Sequence, residues 1–336
     1  MRKYRPLVFI VLGVCVFLFI AGLGIKTENP SDAPPRLKAV GNQLVRTDTG
    51  EALRLKGFVS NYFRRGMPTA TTTDGMLERI DKVKELGGNA IDFYYDPWKL
   101  FDGSRKVRDK VIPIWDMMVN YAGERGLYVI FELASLKGDV LPGKVDEVLK
   151  WVVERYKDKP FFIPGVWSEP YDSTADEWAP KLKEMVKLVR DANPDTPIII
   201  PGADFGRRFG FLLKDGMPDP NVILSVHDYP AKDISYLNEN TKIEIEINPD
   251  LKELSKTVPI MYGEFGGFWG RDFSSPEDLA IIKEQLAKID EYKFSAMGYV
   301  LDYTDLPGLL ILDDKGDLTP KGELFKKNYL VSPGER

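Results

Sequence analysis

The sequence predicts an α/β fold, a (β/α)8 TIM barrel, and three observations predict it. Apolar, β-branched-rich runs recur, most beginning about 35 residues after the last. Amphipathic helical stretches lie between them. The runs are too continuously apolar for a sheet with one wet face, so helices must cover both sides. Eight such units over about 280 residues suit a closed barrel. An open doubly wound sheet would want a Gly-rich phosphate turn after an early strand, and none is present.

The elements follow in order. Arg2, Lys3 and Arg5 precede an uncharged run from Leu7 to Gly24. At 1.5 Å per residue that run just spans a bilayer core of roughly 30 Å. Residues 1–25 therefore read as a transmembrane signal anchor, or as a signal peptide cleaved after Gly24. Either reading keeps the basic residues inside and sends the rest out of the cytoplasm, membrane-anchored or secreted. Residues 26–36 (KTENPSDAPP through Pro35) are polar and Pro-rich, a linker. Residues 37–336 form the barrel domain.

That domain opens with a β-hairpin over Leu37–Leu53, around the turn Asp48-Thr49-Gly50. The eight strands are expected at Leu53–Val59, Asn89–Tyr95, Leu127–Leu133, Phe161–Trp167, Pro197–Pro201, Val222–Val226, Val258–Gly263 and Met297–Tyr303. Helices are expected at Thr73–Leu86, Val111–Arg125, Lys144–Tyr156, Ala175–Ala192, Ser275–Tyr292 and Thr319–Asn328. The fifth of these opens SSPED, with caps and a proline in the first turn. Asp228–Lys256 is longer than a simple connection and should carry an inserted loop.

Composition narrows the chemistry. The chain has 336 residues and a net charge of -5, with no basic excess to neutralise nucleic-acid phosphates. One cysteine (Cys15) and one histidine (His227) exclude an intrachain disulfide, a thiolate metal site and a multi-His metal centre. No metal and no organic cofactor is implied, and a monomer is expected.

In a barrel, chemistry sits where strands end. Those ends offer Asn61, Tyr62 and Arg64; Asp92, Tyr94, Tyr95 and Asp96; Glu132 and Ser135; Ser168 and Glu169; His227, Asp228 and Tyr229; Glu264; Asp302 and Tyr303. Glu169 and Glu264 end the fourth and seventh strands and face each other across the mouth. Paired carboxylates among aromatic residues suit cleavage of glycosidic bonds. Trp98 and Trp269 are candidate sugar-stacking residues, and Trp178, which begins a helix, is a weaker one. Asp92, Glu132 and Asp302 are expected to pair with Arg64 and Arg65.

The segments RLKGFVSNYF, ELGGNAIDFYYDPW, GLYVIFEL, GVWSEPYD, ANPDTPIIIPGADF, NVILSVHDYP, VPIMYGEFG and LLILDDKGDLTPKGELF run in that order. Together they resemble glycoside hydrolase family 5, retaining (β/α)8 glycosidases, over about residues 37–328. The resemblance implies Glu169 as general acid/base and Glu264 as nucleophile. It implies Tyr229 holding the nucleophile and His227 lining the sugar site. Four positions depart from the family pattern. Ser168 stands for the Asn that binds a sugar 2-hydroxyl, and Asp92 for an Arg near the nucleophile. Glu132-Leu133-Ala134 stands where a His is usual, and the strand-8 Trp is replaced near Leu301. The implied partner is an oligo- or polysaccharide, of β-glucan or β-mannan type. A non-catalytic membrane-tethered carbohydrate-binding barrel and a transglycosylase of surface glycans remain as alternatives.

Overall fold

In the computed structural model, eight parallel strands close into a barrel with helices outside. The described residues are 33–61, 70–95, 105–134, 136–137, 144–229, 247–266, 276–302 and 310–330. The expected membrane segment, Trp98, Trp269, Arg64, Arg65 and most of the inserted loop lie outside them. Among the described residues, no helix is long and apolar enough to cross a membrane.

Leu37–Val40 (β1) and Gln43–Arg46 (β2) pair as the expected hairpin, and Ala52–Leu53 (β3) adds a third antiparallel strand. The run expected as the first barrel strand thus divides between two sheets. Only Lys56–Ser60 (β4) enters the barrel, beside Ala90–Tyr95 (β5) and then Tyr128–Leu133 (β6). Leu136–Lys137 (β7) pairs outside the barrel with Pro170–Tyr171 (β9). The wall continues through Phe162–Gly165 (β8), Ile198–Pro201 (β10), Val222–Asp228 (β11), Ile260–Phe265 (β12) and Ser295–Gly298 (β13), which returns to β4.

The helices follow from local chemistry. Ala175–Ala192 begins with a capping box. The Glu177 N–H donates to the Thr174 hydroxyl, and the Thr174 N–H donates to the Glu177 carboxylate at 2.8 Å. Such a cap contributes about 1 kcal/mol. Trp178, Leu182, Met185, Val186 and Val189 repeat at helical spacing and are buried. Trp178 is core rather than sugar platform, its indole N–H donating to the Pro201 carbonyl. The helix expected from Val111 begins at Arg105, because its opening turns (RKVRDK) lack the apolar period that marks the rest. The loop between β11 and β12 holds a short helix, Pro249–Leu254, capped by Asn248.

Outward-facing wall residues fill the layer beneath the helices. Tyr95, Trp115 and Phe131 pack with ring centroids 4.7–5.5 Å apart. Phe265, Phe325 and Tyr329 form a matching cluster on the far side. With the outward positions apolar, the alternate residues are left to line the interior.

Candidate active site

The interior carries polar groups where a packed barrel would carry aliphatic ones. Glu264 enters through a change of register. Val226 pairs with Tyr262, but His227 pairs with Glu264, so Gly263 is an extra residue in β12. Such a bulge re-aims the side chains after it. Tyr262 stacks outward on Phe294, and Phe265 packs outward on Phe325. Glu264 between them turns inward and is 3% exposed. Gly263 is required here, since a Cβ would stand 2.0 Å from the Ser225 hydroxyl oxygen and 3.0 Å from His227 Nε2.

Two tyrosines hold the carboxylate. The Tyr94 hydroxyl donates to Glu264 Oε1 at 2.7 Å, and the Tyr229 hydroxyl to Oε2 at 2.8 Å. Burial pushes the Glu264 carboxyl above its ordinary range. His227 pulls it back, the Glu169 charge adds to the rise, and the two hydroxyls oppose it.

His227 Nδ1 lies 2.8 Å from Glu169 Oε1 and 3.7 Å from Glu264 Oε1. The first contact is a hydrogen bond whichever partner carries the proton. Burial would lower the imidazole pKa. The Glu264 charge and the contact with Glu169 outweigh that and raise it. One donor atom from each of Glu169, His227 and Glu264 lies within 4.8 Å of the others. Of the described residues, these are the three whose potential metal-ligating atoms converge in this way.

The ends of β4 and β13 close the other side. The Asn61 amide donates to the Tyr299 hydroxyl at 2.6 Å, and its backbone N–H donates to Asp302. Asp302 also accepts from Ser60 and pairs with Arg79 at 3.1 Å, while the expected partners Arg64 and Arg65 lie outside the described residues. Tyr299 meets Tyr229 edge to face at 6.3 Å. The aromatic residue beside the site just after β13 is therefore Tyr299, two positions before Leu301, near which the replacement of the family's Trp was expected. Ser168 is buried, and its N–H ties the chain beyond β8 to the Leu133 carbonyl at the end of β6.

Deeper in the barrel, Asp92 and Glu132 are 0% and 1% exposed. Neither Asp92 oxygen nor Glu132 Oε1 has a hydrogen-bond partner among the described residues. The expected partners, Arg64 and Arg65, lie outside the described residues. Burial pushes both carboxyls well above the ordinary range. A buried carboxyl without a cation or donors keeps its proton.

Sequence reasoning named Tyr94 among the strand-end residues without giving it a role, and it missed Tyr299. Tyr94 had a signal, because it lies two positions after Asp92 and so shares its inward face. Tyr299 lay inside the expected strand Met297–Tyr303, but the strand ends at Gly298, so the site-facing end comes earlier than the Asp302 and Tyr303 expected there.

A family model, Cellulase (glycosyl hydrolase family 5), matches residues 48–305. Solved structures are similar in fold. A β-glucanase of Saccharophagus degradans in complex with cellotetraose has a TM-score of 0.70 at 14% identity, with 89% of this chain and 94% of that chain covered. The catalytic domain of the major endoglucanase of Xanthomonas campestris pv. campestris has a TM-score of 0.67 at 17% identity, with coverages of 87% and 99%. A hyperthermophilic endocellulase of Pyrococcus horikoshii has a TM-score of 0.68 at 14% identity, with coverages of 90% and 100%.

Proposed function

The chain belongs to the cellulase family, glycosyl hydrolase family 5, and on that premise we propose that it hydrolyses a β-linked glucan with retention, using Glu169 and Glu264. The observation that carries this reading is the close approach of the two carboxylates, with donor oxygens within 4.8 Å of each other. Retaining pairs stand about 5–5.5 Å apart, while inverting pairs leave roughly 6.5–9.5 Å for a water.

Glu264 is the nucleophile. The hydroxyls on its two oxygens favour the ionised form and fix the direction of attack. Glu169, 19% exposed in its side chain, is the more open of the two and donates its proton to the glycosidic oxygen. The anomeric carbon bonds to Glu264 as the bond to the leaving oxygen breaks. Glu169 then takes a proton from water, which attacks that carbon and frees Glu264. His227 bridges the pair and offsets negative charge as the proton leaves Glu169. Asn61, Ser168, Trp98 and Trp269 are the proposed sugar contacts. A glucan is favoured over a mannan because the similar structures are named as β-glucanases and endoglucanases.

The Leu7–Gly24 run supports a domain held or released outside the cytoplasm, with residues 37–336 as the catalytic unit. A panel of β-glucans and β-mannans tests the reading, with product size and anomeric configuration followed by NMR. Release of the β-anomer from a glucan is expected. Binding without release would favour a carbohydrate-binding barrel, and redistribution of chain lengths a transglycosylase.

A further inference from the structure

Lys321 sits on the C-terminal helix Pro320–Phe325, outside the barrel wall, yet is 2% exposed. Its Nζ donates to the Tyr299 carbonyl at 2.7 Å. It also passes beneath Gly266, two residues after Glu264. A Cβ on Gly266 would stand 3.1 Å from Lys321 Cε and 3.2 Å from Nζ. One side chain thus reaches the ends of both β12 and β13. Burying an amine is costly, and here burial pushes its pKa well below the ordinary lysine range. A methionine of similar length would fill the space without that cost. Among the described residues, lysine adds a donor to the backbone of Tyr299.

Tyr299 is then held at both ends, its carbonyl by Lys321 and its hydroxyl by Asn61. Its ring braces Tyr229, and the Tyr229 hydroxyl donates to Glu264. We propose that Lys321 is a positioning residue for the glycosidic site, acting through Tyr299 and Tyr229 on Glu264. The proposal rests on reading Glu264 as the nucleophile.

The test follows the ionisation of Glu264. Among the described residues, the groups facing it are Tyr94 and Asp92 from β5, Glu132 from β6, His227 and Tyr229 from β11 and its end, and Glu169 beyond the end of β8. In Lys321→Met, Tyr229 loosens and Glu264 loses a donor to its charged form. The acid limb of kcat/KM then moves to higher pH, and kcat falls roughly tenfold with KM within threefold. The melting temperature holds or rises. A lower melting temperature with an unmoved acid limb would overturn the proposal, because loss of folded enzyme reduces amplitude without shifting the limb. Lys321→Leu replaces Lys321→Met should the latter not fold. The double variant with Tyr299→Ala should shift the limb no further than Tyr299→Ala alone, and an additive shift also overturns it. If the wild type is inert on every glycan, the functional reading fails separately. The clamp is then read by hydrogen exchange, expected to accelerate in the variant at residues 299–302. Unchanged exchange there counts against it.

Discussion

At the mouth of the barrel, Glu264 is 3% exposed and both of its oxygens accept from tyrosine hydroxyls. On β5 and β6, Asp92 and Glu132 are at least as deeply buried, with three carboxyl oxygens unpartnered among the described residues. Burial raises all three pKa values. The difference lies in what opposes it. Glu264 has His227 and two hydroxyls working against desolvation, whereas Asp92 has only the more distant His227 charge. Depth alone therefore does not set how readily a buried carboxyl ionises; the donors around it do.

Four substitutions probe that contrast, the largest effect first. Glu264→Gln keeps the shape and removes the charge. Turnover should fall roughly 10⁴-fold or more with the fold intact by circular dichroism, and a near-normal rate would make Glu264 another structural acid. Glu169→Ala should cost about 10²–10⁴-fold on substrates with poor leaving groups and less on activated aryl glycosides. Equal losses on both would remove it as the acid. Tyr229→Phe takes one donor from Glu264, so its pKa rises and the acid limb of kcat/KM moves up, with a loss of about 10–100-fold. An unmoved limb would mean that Tyr229 does not tune the nucleophile.

The smallest effect is on stability. Burial holds the folded Asp92 pKa well above its ordinary value of 3.8, so the native state favours the protonated form. That advantage is complete below about pH 4 and is lost as pH rises toward the folded pKa. Asn does not titrate and escapes the loss. Asp92→Asn should therefore leave the melting temperature little changed near pH 4 and raise it increasingly toward pH 8. A uniform fall at every pH would show that Asp92 is paired and ionised after all.

The sequence by itself determined the barrel, because strand and helix periods are local and each apolar run needs two covered faces. The resemblance to a known family also singled out Glu169, His227, Tyr229 and Glu264, and the structure brings these four together. Tertiary structure decided which way they face. A period of two puts Tyr262 and Glu264 on one side of a strand, and only the extra residue at Gly263 turns Glu264 inward, against His227. Packing also decided the partners. Asp302 takes Arg79, which is far away in sequence, and Asp92 takes none among the described residues. A strand's pattern records whether a residue is buried, while ionisation depends on groups that only the closed barrel brings within reach.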